Sequence, residues 1–190
     1  MSKAPIVLAV DTPDLQTAIA WVKSTQDHIS VYKLGLEFFL TFGSEGVKAI
    51  QNETDSDIFL DLKLHDIPHT VSGAAKAVAH LAPKFLTVHA SGGNAMVKAA
   101  VDAGARAIVC SPLEISAVRH EVGATPIIIT PGVRPLDMVG TDDQQRTMTP
   151  QDAIAAGANL VVIGRPITQS WAQGAHAMKE RAEEIGANLI

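Results

Sequence analysis

Seven short apolar runs, separated by stretches with helical spacing, constrain the fold of this chain more than any other feature. The runs fall at 6–10, 30–34, 57–62, 84–89, 107–111, 126–130 and 160–164. Helical patterns occupy 15–25, a stretch around 44–51, 70–81, 95–103, 115–122, 150–156 and 171–185. Near-continuous apolar strands alternating with amphipathic helices predict an α/β fold, a parallel sheet covered by helices. Ala-Gly-Ala recurs at 103–105 and 156–158, each time closing a helix before a strand. Glycine there suits the left-handed turn after a helix.

Polar residues follow the strands at one end. Asp11, Lys33, Asp61 with Lys63, His89, Ser111, Thr130 with Arg134, and Gly164 with Arg165 all stand at the C-terminal ends. Helix-to-strand connections carry little comparable chemistry. That one-sidedness predicts a TIM-type (β/α) barrel, whose sites gather on the C-terminal face. A doubly wound open sheet is the competing architecture, and it would concentrate its site at one switch point near the first strand. No linker or low-complexity segment divides the chain, so residues 1–190 read as a single catalytic barrel domain. The longest irregular stretch, 133–149, is rich in Pro, Gly, Asp and Gln and reads as a lid.

Composition removes several functional classes. Hydrophobic residues make up 47% of the chain, yet no apolar run approaches the length of a membrane span. Met1-Ser2-Lys3-Ala4-Pro5 leads into an apolar stretch too short for a signal peptide. The one cysteine, Cys110, excludes an internal disulfide and fits a reducing compartment, so the expected location is cytoplasmic. A net charge of −5 leaves no basic footprint for nucleic acid. Any anionic ligand must be drawn by local positive groups.

The chemistry concentrates in Asp61-Leu62-Lys63-Leu64-His65-Asp66, at the end of an apolar run. Burying an unpaired charge costs several kcal/mol, so a stable core has little use for these residues there. Strand residues two apart share a face, which points Asp61 and Lys63 together into the barrel mouth. Asp66 has the opposite parity and lies beyond the strand, before Pro68, so it reaches elsewhere, for instance across a subunit interface. Lys33, at the end of the second strand, extends the pair into an alternating Lys–Asp–Lys array. Such an array sets a cation where negative charge develops. Asp11 either caps the following helix or belongs to the site; spacing leaves both roles open.

A second constellation is built for an anion. Thr130-Pro131-Gly132-Val133-Arg134-Pro135 and Val162-Ile163-Gly164-Arg165-Pro166-Ile167 each place glycine and arginine just after a strand. Barrels often bind phosphate after their last two strands, and arginine adds a fork suited to it. His65, His69 and His89 lack a metal-ligand spacing, so no metal site is expected. His89 reads as a hydrogen-bonded core or rim residue, and Cys110 as a small buried hydrophobe. No Gly-x-Ser-x-Gly, Walker A or Rossmann fingerprint occurs.

The segment Asp61-Leu62-Lys63-Leu64-His65-Asp66-Ile67-Pro68-His69-Thr70 resembles the signature of the orotidine 5′-phosphate decarboxylase family. Matching segments run along the chain: Ala9-Val10-Asp11-Thr12-Pro13, Tyr32-Lys33-Leu34-Gly35, Val88-His89-Ala90-Ser91-Gly92-Gly93, Thr130-Pro131-Gly132-Val133-Arg134-Pro135, Asp143-Gln144, Met148-Thr149-Pro150 and Gly164-Arg165-Pro166-Ile167-Thr168. The resemblance implies cofactor-free decarboxylation of orotidine 5′-monophosphate (OMP) to uridine 5′-monophosphate (UMP), in pyrimidine biosynthesis. It assigns Lys63 to protonate C6 as carbon dioxide leaves, and Asp61 to lie beside the substrate carboxylate and hold Lys63. Lys33 pairs with Asp61 and contacts the ribose, whose hydroxyls Asp11 binds. Arg134, Gln144, Gly164 and Arg165 hold the phosphate, with Gln144 on the lid. The resemblance also implies a homodimer in which Asp66 and Thr70 cross the interface.

One departure from the family pattern is large. The family carries a fifth strand, a pyrimidine-contacting loop and a further helix before the strand that resembles Ala107-Ile108-Val109-Cys110-Ser111-Pro112. Here 95–104 fuses directly to that strand, which leaves seven strands where the barrel rule is eight. His69 also replaces the Asn usual in the family. Two other readings therefore stand beside the decarboxylase. One is a shortened barrel that binds nucleotide or phosphate without turnover. The other is a Mg²⁺-dependent sugar-phosphate decarboxylase or aldolase of the same superfamily, which would carry an acid at the position of Lys33.

Overall fold

The structure, a computed structural model, describes residues 3–88, 107–122, 124, 127–138 and 148–189. Among them are seven strands: β1 (Ala4–Ala9), β2 (Ile29–Gly35), β3 (Asp57–Leu64), β4 (Phe85–Val88), β5 (Ala107–Val109), β6 (Ile127–Thr130) and β7 (Leu160–Ile163). All pairings are parallel, in the order β4-β3-β2-β1-β7-β6-β5. The strands form a nearly closed barrel with helices outside, as the alternating pattern predicts. The expected helix at 95–103, His89 and most of the expected lid, Gln144 included, lie outside the described residues.

Strand periodicity sorts side chains into two layers. Val7, Val31, Phe59, Phe85 and Ile129 form a cluster inside the barrel, joined by Ala107, Ile127, Leu160 and Val162. Their neighbours in sequence, including Ile6, Leu8, Tyr32, Leu34, Ile58, Leu60, Val161 and Ile163, face the helices in a larger core. Two residues beyond the inner cluster, the same parity brings Lys33, Asp61 and Thr87 to the barrel mouth. The interior layer thus sets which side chains look into the site.

The helices begin where local chemistry starts them. In α1 (Leu15–Thr25), Asp14 is the N-cap and accepts a hydrogen bond from the Thr17 amide at 2.7 Å. That answers one question left open by spacing: Asp14, not Asp11, caps this helix. The first helix buries Ala18, Val22 and Thr25 at helical spacing. Pro68 opens α3 (Pro68–Val78), and Pro150, behind a Thr149 cap, opens α5 (Pro150–Ala155). The helix α4 (Ile115–Val122) has the predicted bounds. Gly157 after α5 has φ +114°, the left-handed turn expected of Ala-Gly-Ala.

Two elements differ from expectation. The helix α2 (Leu36–Gln51) starts eight residues earlier than its pattern suggested, with a kink at Gly43, where φ is +57°. The helix expected over 171–185 is broken near its start, and the chain after β7 runs in three pieces. They are a single turn, α6 (Arg165–Thr168), a 3₁₀ segment (Gln169–Gln173), and α7 (Ala175–Ala187). Gly174, at φ +105°, separates the last two.

Candidate active site

The site stands on the ends of neighbouring strands. Lys33 is placed by β2 and Asp61 and Lys63 by β3. The Lys63 ammonium donates to Asp61 Oδ2 at 2.6 Å, and the Lys33 ammonium lies 3.4 Å from the same oxygen. Lys33 also donates to Asp11 Oδ1 at 3.3 Å. The result is an alternating Asp11–Lys33–Asp61–Lys63 chain of charges. Asp61 and Lys33 are only 8% and 9% exposed, so neither charge is fully hydrated and each needs the other. Lys63 is open to solvent at the mouth.

Thr87 on β4 completes the array and was not singled out by the sequence reading. Its hydroxyl donates to Asp61 Oδ1 at 2.9 Å and accepts the Lys63 backbone N–H at 2.8 Å. The second bond repairs a break in the sheet. Pairing of β3 with β4 shifts between Leu60 and Leu64, and Leu64 is again paired, with Val88. Lys63 lies within this irregularity at φ +50°, a left-handed conformation uncommon for a side-chain-bearing residue. The only sequence signal for Thr87 was its parity with Phe85.

Gly35 was likewise missed as a site residue. A Cβ there would stand 3.1 Å from Asp11 Oδ1 and 3.4 Å from the Lys33 nitrogen. The bare backbone leaves room for that ion pair.

Burial is the largest influence on the Asp61 carboxyl and pushes its pKa up. The Lys63 hydrogen bond, the charges of Lys33 and Lys63, and the Thr87 hydroxyl together outweigh it and hold the pKa below the usual carboxylate value. Asp61 is therefore a fixed negative charge at neutral pH, placed between two cations. Burial pushes the Cys110 thiol up, which suits its expected role as a buried hydrophobe.

The remaining predicted residues divide into two groups. Arg134 is buried after β6, with Nη1 donating to the Val133 carbonyl at 2.9 Å. Gly164 lies between β7 and α6, and Arg165 follows it, exposed. Because β6, β7, β1, β2 and β3 are consecutive in the sheet, the rim runs from these arginines through Asp11 to Lys63. Asp66 and Thr70 stand apart from the array. Both are exposed, and Asp66 Oδ1 accepts the Ile67 amide at 2.6 Å. Among the described residues, no group of three or more His, Cys, Asp or Glu could hold a metal ion.

Comparison with known proteins bears on this site. The chain matches the model of the "Orotidine 5′-phosphate decarboxylase / HUMPS family" in two stretches, residues 4–107 and 103–180. It is 44% identical to the orotidine 5′-phosphate decarboxylase of Thermobifida fusca over 223 aligned positions, 95% of each chain. It is 37% identical to that of Frankia casuarinae, over 87% of this chain and 82% of the relative. Its structure is similar to that of orotidine 5′-phosphate decarboxylase from Lactobacillus acidophilus, with a TM-score of 0.79 and 27% identity over 98% and 99% of the two chains. The enzyme from Pyrococcus horikoshii shares the fold, at a TM-score of 0.81 and 24% identity over 97% and 98%. The 223 positions aligned with the Thermobifida protein outnumber the 190 residues of the whole chain, so that relative carries residues with no counterpart here. The family match itself breaks at 103–107, where the sequence departs from the family pattern. On both stretches of the match and on these relatives, the chain belongs to the orotidine 5′-phosphate decarboxylase / HUMPS family.

Proposed function

We propose that this protein decarboxylates OMP to UMP without a cofactor, with Lys63 as the proton donor to C6. The observation that carries the assignment is the buried Asp61 carboxylate, with the ammonium groups of Lys63 and Lys33 at 2.6 and 3.4 Å. The C6–carboxylate bond breaks, carbon dioxide leaves, and the bonding electron pair stays on C6. The Lys63 ammonium is the cation at the open end of the array, suited to stabilise that charge and then to transfer a proton to it. Lys63 regains its proton from water. Asp61 faces the departing carboxylate and keeps Lys63 oriented.

The order of the rim supports the pose. Phosphate lies at Arg134, Gly164 and Arg165, ribose at Asp11 and Lys33, and the base at Asp61 and Lys63. Gln144 joins the phosphate from the lid. Binding energy at the remote phosphate is then available to the transition state at C6. Lys33, where the Mg²⁺-dependent relatives would carry an acid, opposes that alternative.

Asp66 and Thr70 serve the site of a second copy in a homodimer. Supporting this, Ile67 is 64% and Leu40 80% exposed, on segments that follow the adjacent strands β3 and β2 at the same face. No helix among the described residues is long and apolar enough to cross a membrane. The proposed setting is cytoplasmic pyrimidine synthesis.

The direct test is loss of orotidine absorbance on mixing the protein with OMP after treatment with EDTA. Wild type turns over, while Lys63→Ala loses at least about a thousandfold in kcat with its circular dichroism unchanged. Retained turnover by Lys63→Ala would remove Lys63 from the proton transfer. UMP binding by a wild type that releases no carbon dioxide would favour the non-catalytic reading.

A further inference from the structure

Arg181 lies on α7, outside the barrel, and has no place in the chemistry described above. Its side chain is only 16% exposed, yet it makes four polar contacts spread over three segments. Nη2 donates to both carboxylate oxygens of Asp137, at 2.9 and 2.7 Å. Nε donates to the Pro166 carbonyl at 3.2 Å, and Nη1 to Glu184 at 2.7 Å. Asp137 is three residues beyond Arg134, in a 3₁₀ turn (Leu136–Met138) after β6. Pro166 is the residue after Arg165, in the turn that follows β7. One guanidinium therefore joins the two loops that carry the arginines of the anion site.

We infer that Arg181 is a positioning residue for phosphate recognition, holding the loops after β6 and β7 at a fixed separation from a helix outside the barrel. The inference rests on the decarboxylase reading for the identity of the ligand. Its helix is firmly seated, with Met178, Ala182 and Ile185 buried. Glu184, one turn further on, orients the guanidinium. The loop after β6 is also tied at its far end, where the Arg134 amide donates to the Met148 carbonyl at 2.9 Å. Arg134 is thus tied through its own backbone and stands three residues before Asp137, so its distance from Arg165 follows from where Arg181 holds Asp137. A lysine cannot substitute, because a single ammonium lacks the planar fork that reaches a carboxylate and a carbonyl together.

Asp137 is 60% exposed on its side chain, and ion pairs with such exposure contribute little to stability. The signature of the tie is therefore a loss specific to the phosphate. The test measures kcat/KM for OMP and for orotidine, the nucleoside without phosphate, in wild type, Arg181→Lys and Asp137→Asn. Binding of UMP and uridine is measured alongside by calorimetry. Each variant is expected to lower the OMP-to-orotidine ratio by about tenfold, chiefly through KM, and to weaken UMP about tenfold relative to uridine. Ratios equal to wild type overturn the inference, whether the absolute rates hold or fall together. Should Arg181→Lys fail to fold, Asp137→Asn tests the tie from its exposed partner. A wild type without turnover defeats the decarboxylase reading alone, since the UMP-to-uridine comparison still decides the role of Arg181.

Discussion

Asp61 is a strand residue two places beyond Phe59 of the barrel interior, and its burial is tolerated because three donors converge on its two oxygens. Its carboxyl is held below the usual value, so its native contribution is fully present above the unfolded value near pH ~4. That contribution is lost as pH falls through the lower folded value. Thermal melts of wild type and Asp61→Asn at successive pH values from ~6 to ~2 should therefore converge in acid. The wild-type midpoint should fall more steeply than the variant's below pH ~4; parallel curves would mean that Asp61 is not held ionised by its neighbours. Asp61, Lys63 and Lys33 were legible in the sequence because charge at the end of an apolar run has few structural excuses. Thr87 and Gly35 were not. A threonine fits a strand by propensity, and the need for a bare Cα at Gly35 arises from Asp11, distant in sequence.

Among the elements, pattern was readable where one face is buried and failed where the backbone itself decides. The first and fourth helices have the predicted bounds, and each strand was placed to within about two residues. The opening of α2 escaped because its apolar residues do not share a face: Phe38 is buried while Leu40 is 80% exposed. The last helix was read through Gly174, whose positive φ interrupts it. No atom lies within 4 Å of a Cβ built at Gly174, so alanine there meets only backbone strain. Gly174→Ala should lower the unfolding free energy by about 1 kcal/mol without changing the denaturant m-value. A midpoint equal to wild type in urea would show that the break has another cause.

For the whole molecule, one-sidedness was the decisive signal. The chemistry-bearing polar residues gather after the strands, with little comparable before them, and that pattern predicted the barrel and the face of the candidate site. The same face bears Leu40 and Ile67, whose exposure has a ready explanation in a second copy. Introducing glutamate at both positions (Leu40→Glu with Ile67→Glu) should convert the proposed dimer to monomer in sedimentation velocity. Turnover should fall about tenfold or more, through loss of the partner's Asp66 and Thr70. An unchanged sedimentation coefficient would place the interface elsewhere. Assembly was beyond reach of periodicity, because a chain's own pattern records which residues leave water but not which surface covers them.

The left-handed backbone at Lys63 sets two demands on one position. Conformation there favours glycine, by about 1 kcal/mol over a residue with a Cβ. The proposed proton transfer requires an ammonium. A library of variants at residue 63 sorted for resistance to unfolding would thus be enriched in glycine, while one sorted for growth without uracil would return only lysine. The residue to which the proposed mechanism gives most of the chemistry is one that folding alone would discard.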